Sequence, residues 1–164
     1  ATAATKTQVA QASAGDFLAF LDGTGATFTV NLKDIASDQM ELYIRGASNY
    51  VEIMKNWTPY KIGDMVLNEF MTVRVNGEEL ALADNLVLPG CGDGTKGDHA
   101  YWTNWTTLDL GTITLDPSLE INTIEFSVDF EKGLNENGKY KYLYNNNTQY
   151  AFGQYDYILL EEKF

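Results

Sequence analysis

The sequence is poor in the residues that make cross-links and metal cages. It holds one cysteine, Cys91, and one histidine, His99, in 164 residues. One cysteine cannot form an internal disulfide, and this pair cannot supply the three or four nitrogen and sulfur ligands of a zinc site. A lone histidine with no serine motif such as G-x-S-x-G around it also argues against a Ser-His-Asp hydrolase.

Basic residues and long apolar runs are scarce as well. Eleven Lys and Arg stand against 23 Asp and Glu, which gives a formal net charge of −12 and a pI near 4.3. This charge repels phosphates and anionic lipid headgroups, so nucleic acid is not expected as a partner. No apolar run approaches the ~20 residues of a membrane-spanning helix, and membrane insertion is not expected either.

Aromatic residues are abundant. They make up 13% of the chain, with ten Tyr and eight Phe, while there are only three Pro. Large rings favour strands, where they pack on a pleated face. A chain of this length can bury a sizeable core as one unit, so we expect a single domain over residues 1–164.

Alternation of apolar and polar residues recurs along the chain, which is the pattern of half-buried strands. The clearest stretches lie at residues 28–32, 40–45, 71–75, 108–115, 124–128 and 155–160. Asn76-Gly77 is a two-residue hairpin signal. No window of adequate length shows a helical period with caps. The sequence therefore predicts an all-β fold, a β-sandwich jelly roll of two antiparallel sheets.

Three stretches without this alternation are predicted to be loops, at residues 56–64, 88–104 and 132–147. Loops this long in a compact domain are commonly functional. In the second of them, Asp93 and Asp98 lie among glycines, and their carboxylates with backbone carbonyls are ligands that suit calcium. A solvated glycine-rich loop is the alternative interpretation.

Aromatic residues at predicted loop positions are candidates for sugar binding. Trp102 ends one long loop, Trp57 lies in another, and Tyr50 follows the strand that ends at Ala47. Sugar rings have apolar C–H faces, and Tyr and Trp offer a flat apolar body with a polar tip. The alternative is that these rings cover the edge of the sandwich, and Trp105 is expected in the core.

Carboxylates are numerous enough for glycosidase chemistry, which needs a pair of them at a suitable separation. However, the inward positions of the predicted strands are mostly Leu, Ile, Val and Phe. We therefore expect no acidic cleft lined by two strands, and we expect the carboxylates to lie in solvent.

The sequence resembles the carbohydrate-binding modules of families 6 and 35, which share a galactose-binding-like jelly roll. The resemblance runs from about residue 15 to the end of the chain and depends on the order of several loose motifs. These are residues 15–32 and 41–49, the segment Trp102-Thr103-Asn104-Trp105 with the strand at 120–126, and the closing residues 154–160.

This resemblance implies a ligand cleft at the loop end of the sandwich. It places Trp102 on the sugar, with help from Asn49 and Tyr50 after the strand that contains Arg45. Gln154 takes the place of an Asn that bonds the sugar in the family. The resemblance also implies a structural calcium, with Asp156 as one ligand.

The function implied is a non-catalytic carbohydrate-binding module that targets an exported enzyme or surface assembly to a polysaccharide. Its expected partner is a polysaccharide or oligosaccharide, its expected location is extracellular, and it would be part of a larger multidomain protein. The alternative is a structural or adhesion β-sandwich domain that binds a protein partner.

Overall fold

The chain folds into an all-β structure, as the sequence predicts. The computed structural model describes residues 5–8, 16–19, 25–31, 36–56, 58–90, 104–145 and 149–164. These residues form fifteen strands, two short 3-10 turns at Leu67–Glu69 and Phe130–Gly133, and no α-helix. Across the same ranges, no helix has the length and apolar character needed to cross a membrane.

The larger sheet has five antiparallel strands in the order β1-β2-β15-β4-β11. They are β1 (Thr5–Gln8), β2 (Asp16–Ala19), β4 (Gln39–Ala47), β11 (Thr106–Thr114) and β15 (Gln154–Glu162). In β4, Met40, Leu42 and Ile44 are at most 2% exposed. The residues between them lie on the outer face, because successive strand side chains point to opposite faces.

The smaller sheet has four antiparallel strands in the order β3-β12-β8-β9. They are β3 (Gly25–Asn31), β8 (Met71–Val75), β9 (Glu78–Leu80) and β12 (Ile121–Val128). Asn76 and Gly77 join β8 to β9 with φ angles of 50° and 84°. Two positive φ angles in a row are the geometry that an Asn-Gly hairpin turn requires, so the predicted hairpin is confirmed.

The two sheets bury their apolar faces against each other. The core is formed by buried side chains of both sheets and of the segments that close one end. It includes Leu42, Ile44, Val73, Ile124 and Phe126, all at most 1% exposed. The predicted sandwich of two antiparallel sheets is therefore confirmed.

The strand pairing defines two ends of the sandwich. At the upper end, β4 finishes at Ala47 beside Gln154, and Thr106 opens β11 opposite Gly46. At the lower end, Gln39 lies opposite Thr114. Three further two-stranded ladders add to these sheets: β5 (Val51–Lys55) with β6 (Thr58–Ile62), β7 (Met65–Val66) with β10 (Val87–Leu88), and β13 (Leu143–Asn145) with β14 (Gln149–Tyr150).

Two of the predicted loops contain regular structure. Residues 58–62 of the first form β6, which pairs with β5 through two register irregularities. Those irregularities explain why the sequence shows no clean alternation there. The loop at 132–147 contains an isolated bridge between Leu134 and Tyr140, and then β13. Most of the loop at 88–104 lies outside the described residues.

Candidate functional site

Tyr50 lies at the upper end of the sandwich, where hydrogen bonds fix the chain just after β4. The Ser48 hydroxyl donates to the carbonyl oxygen of Gly63 at 2.5 Å and accepts from the Tyr50 amide at 3.2 Å. The Gly63 amide in turn donates to the Tyr50 carbonyl oxygen at 2.8 Å. The backbone of Tyr50 is thereby tied to the chain that leaves β6.

The Tyr50 ring rests on a cluster of aromatic side chains. It meets the Tyr142 ring edge to face, with centroids 5.2 Å apart, and Tyr142 meets Phe70 in the same way at 5.8 Å. The Tyr142 hydroxyl donates to Glu69 and accepts from the Val66 amide. Because Tyr142 is only 1% exposed, it gives the Tyr50 ring a rigid support.

A cleft of about 520 Å³ opens beside the Tyr50 ring, within the size range of small-molecule sites. Its polar rim contains an ion pair between Lys61 and Glu52 at 3.0 Å. Asp64 forms the other side, where its Oδ1 accepts from the Gly90 amide at 2.6 Å. We call this the Tyr50 cleft; its lining is Tyr50, Glu52, Lys61, Ile62, Gly63, Asp64 and Gly90.

Glycines form part of the cleft wall because side chains would not fit there. A Cβ at Gly63 would lie 2.7 Å from Tyr50 Cε1 and 2.8 Å from Glu52 Oε2. A Cβ at Gly90 would lie 2.0 Å from the carbonyl oxygen of Ile62. The missing side chain at Gly63 lets the Tyr50 ring and the Glu52 carboxylate lie against bare backbone, and the one at Gly90 lets two backbone segments approach closely.

Two acceptor or donor groups of the cleft remain available to a ligand. Within the described part of the chain, neither the Tyr50 hydroxyl nor the second Asp64 oxygen has a hydrogen-bond partner. Burial raises the pKa of the Tyr50 hydroxyl above its usual value of 10, and the nearby Glu52 carboxylate adds to the rise. Tyr50 is therefore a neutral hydrogen-bond donor at physiological pH.

Asn104 links the edge of this cleft to the predicted Trp-x-x-Trp segment. Its side-chain amide donates to the carbonyl oxygen of Gly90 at 3.1 Å. The chain thus returns to the cleft edge two residues after Trp102 in the sequence. Trp102 and Trp57 lie outside the described residues, and their sugar-binding roles stay predictions.

Asn49 and Gln154 lie beneath the surface rather than in the cleft. Asn49 is 3% exposed, and its Oδ1 accepts from the Gly153 amide at 2.8 Å. Gln154 is 6% exposed, and its Oε1 has no hydrogen-bond partner among the described residues. Neither lines the Tyr50 cleft, so of the predicted ligand residues the structure describes, only Tyr50 does. The ligand roles of Asn49 and Gln154 stay predictions.

Asp156 is buried and paired with a cation from the protein itself. Its side chain is 1% exposed, and its Oδ2 lies 2.5 Å from Arg45 Nη1. The Arg45 guanidinium also lies 5.5 Å from the centre of the half-buried Trp105 ring. The charge of this carboxylate is therefore compensated by an ion pair within the protein.

Asp156 belongs to no cluster of three or more metal-ligating side chains among the described residues. Hard cations want six to eight oxygen ligands, and among the described residues no three His, Cys, Asp or Glu side chains cluster as a metal site. The described residues alone therefore do not fit a calcium ion, and its presence stays a prediction. Asp93 and Asp98 of the second candidate calcium loop lie outside the described residues.

A second cleft, of about 610 Å³, lies at the lower end between the β8–β9 hairpin and the end of β11. Glu78, Glu79 and Asp116 line it together with aliphatic side chains, and among the described residues no aromatic ring does. The sequence led us to expect no acidic cleft between strands. These carboxylates come from exposed positions of β9 and from the turn after β11 and not from inward strand positions, so the cleft does not contradict that expectation.

Sequence reasoning missed most of the residues around Tyr50, namely Glu52, Lys61, Gly63, Asp64 and Gly90. The signal that could have found them is local. Tyr50 directly precedes β5 and Glu52 lies two residues later on that strand, while Gly63-Asp64 directly follows the partner strand β6. Residues two apart share a face of a strand, so an aromatic and an acid would lie together.

Comparisons with known proteins show the fold and leave the ligand open. No family model matches the chain, and no curated protein matches it. Among solved structures, it is similar to a family 35 carbohydrate-binding module from Clostridium thermocellum. The TM-score is 0.53 at 15% identity, covering 94% of this chain and 85% of that one.

Two larger proteins contain a similar region. One is a xanthan lyase from Paenibacillus, with a TM-score of 0.51 at 11% identity over 99% of this chain. The other is an exo-β-1,3-galactanase from Phanerochaete chrysosporium, with a TM-score of 0.50 at 15% identity over 98% of this chain. This chain spans 12% and 26% of those two chains. The similarity to a carbohydrate-binding module of family 35 is thus confirmed for the fold.

Proposed function

We propose that this chain is a non-catalytic carbohydrate-binding module that targets an exported enzyme or surface assembly to a polysaccharide. The Tyr50 cleft is its binding site. One observation carries this proposal: the Tyr50 ring, which packs on Tyr142, lines the same cleft as its own hydroxyl and the carboxylates of Glu52 and Asp64. An aromatic face holds the apolar side of a sugar, while carboxylates accept from its hydroxyls.

The expected affinity is low. One stacked ring contributes about 1 kcal/mol beyond the area that it buries, and each hydrogen bond to a charged group about 1.5–3 kcal/mol. The cost of immobilising the ligand offsets part of this gain, so binding by a single cleft should be weak. Such a module works by keeping its parent assembly near an insoluble polymer, where many ligand copies compensate for weak binding.

The comparisons support a multidomain context for this function. Regions similar to the whole chain occur within the xanthan lyase and the exo-β-1,3-galactanase, of which this chain spans only a small part. A module of this kind would occupy one segment of an extracellular protein that acts on carbohydrate. A separate catalytic domain would then carry out the chemistry.

Affinity electrophoresis in gels containing soluble polysaccharides, together with a glycan array, tests the proposal. We expect Tyr50→Ala and Trp102→Ala to lose retardation, and Tyr50→Phe to weaken it because the ring remains and the hydroxyl is removed. Tyr157→Ala is the matched control, since Tyr157 is 41% exposed on the outer face of the large sheet. Absence of binding to any plant, algal or host glycan would overturn the proposal.

A second candidate function is protein binding by a structural or adhesion domain. The observation that favours it is the outer face of β15, where Tyr157 and Leu159 are 41% and 47% exposed. These two side chains are two residues apart on one strand and share a face. A protein partner lost with Tyr157→Ala and kept with Tyr50→Ala would support this second function.

A further inference from the structure

The Tyr50 cleft has an excess of negative charge. Among the described lining residues, Glu52 and Asp64 contribute two carboxylates and Lys61 contributes the single ammonium group. That ammonium already pairs with Glu52, with Nζ 3.1 Å from Oε1 and 3.0 Å from Oε2. The described lining therefore offers acceptors and one neutral hydroxyl to a ligand.

This arrangement suits one class of sugar and opposes another. A uronate or sulfate group is normally recognised by a cation that forms charge-assisted hydrogen bonds with it. Here Lys61 would have to leave Glu52 to do so. A neutral sugar, in contrast, presents hydroxyl groups that can donate hydrogen bonds to the Asp64 and Glu52 oxygens. The net charge of −12 on the chain adds a long-range repulsion of polyanions.

We infer that the Tyr50 cleft selects uncharged glycans and rejects polyuronates and sulfated glycans. This inference rests on the proposed function and names the ligand class of that same site. The size of the effect follows from Coulomb's law. One unit charge about 4 Å from another in bulk water changes binding about fivefold, and two carboxylates act on each anionic sugar that enters the cleft.

The experiment compares neutral and anionic polysaccharides on the same variants. The probes are a panel of neutral galactan, xylan and mannan, and polygalacturonate as the anionic probe. The test variant is Glu52→Gln with Asp64→Asn, which changes the net charge of the cleft side chains from negative to positive. The matched control is Glu78→Gln with Glu79→Gln in the lower cleft, which changes the charge of the whole chain by the same amount.

We expect the unmodified chain to bind at least one neutral glycan and to bind polygalacturonate at least about tenfold more weakly. In the test variant, the ratio of neutral-glycan affinity to polygalacturonate affinity should fall by about fivefold or more at low salt. High salt should make this fall smaller. The neutral glycan should also bind more weakly, because hydrogen bonds to charged groups are lost. The control variant should keep the original ratio.

The outcomes separate this inference from the proposed function. Polygalacturonate binding as tight as that of the neutral glycan would overturn the inference and leave the proposed function standing. If the ratio of the two affinities changed equally in the test and control variants, the inference would also be overturned. The total charge of the chain, and not the cleft, would then determine which glycans bind. No binding of any glycan would overturn both.

Discussion

Replacing Arg45 with Met should destabilise the protein strongly. Arg45 lies on β4 and pairs with Asp156 of the neighbouring strand, at the β-bulge between Tyr155 and Tyr157. The guanidinium is 24% exposed, whereas the carboxylate is 1% exposed. Met has a similar length and keeps the contact with the Trp105 ring, so the substitution mainly removes the charge and its hydrogen bonds.

The magnitude follows from the burial of the carboxylate. Breaking a buried ion pair by removing one partner costs about 3–5 kcal/mol, because a charge then stays buried without compensation. A solvent-exposed pair would lose only about 0–1 kcal/mol. The two cases differ enough for one experiment to separate them.

Urea unfolding followed by circular dichroism measures this difference. Arg45→Met should lower the free energy of unfolding by about 3–5 kcal/mol, and Arg45→Met with Asp156→Leu should lower it by less. The double variant removes both charges, so no carboxylate is left buried alone. A loss below about 1 kcal/mol for Arg45→Met would refute this reasoning. So would a double variant whose loss equals the sum of the losses for Arg45→Met and Asp156→Leu measured separately.

A variant at Asp156 tests the calcium that the family resemblance predicts. An ion that binds only the folded state raises the melting temperature in proportion to the logarithm of its concentration. Melting curves in calcium and in EDTA should therefore differ if calcium binds. Asp156→Asn should abolish that difference if Asp156 is a ligand. Identical curves for the unmodified chain would exclude the ion.

Three further predictions concern the sheet surface and the core. Hydrogen bonds from Thr112 and then Lys163 lower the pKa of Glu41 from 4.5 to about 2. The stabilising contribution of Glu41 is therefore present above pH 4.5 and is lost as the pH falls through about 2. Thr112→Val should raise this pKa, which NMR titration of the carboxyl carbon can measure. Asn122 is fully buried and bonds the backbone of Asp116, so Asn122→Ala should cost about 1–3 kcal/mol in urea unfolding. Phe126→Ala should cost about 3–5 kcal/mol in the same assay, since Phe126 is 1% exposed.

The two sheets could be predicted because their strands follow one physical rule. Each strand has one face against the core and one toward solvent, which imposes a period of two on the sequence. In β12, burial alternates along the whole of Ile121–Val128. The turn at Asn76-Gly77 was also predictable, because few residue pairs adopt two positive φ angles.

The aromatic support of the Tyr50 cleft could not be predicted from its segment. Residues 132–147 are polar in composition, yet Tyr140 is 4% exposed and Tyr142 is 1% exposed. Their burial depends on contacts with Phe152 and Phe70, which are near in space through the fold of the chain. Local composition carries no record of such contacts, so the sequence predicts only a polar loop there.

The Tyr50 cleft could not be predicted from a period of two in the sequence, and the reason bears on function. Its wall is backbone at Gly63 and Gly90, and its rim comes from β5, β6 and the residues that follow them. The β5–β6 pairing is irregular, so no period of two marks it. The cleft is thus built on segments outside the two main sheets, and its rim residues Glu52, Lys61 and Asp64 are not part of the core, although the Tyr50 ring packs against that core. Its rim residues can therefore change with little effect on the sandwich, which is how one fold comes to support many ligand specificities.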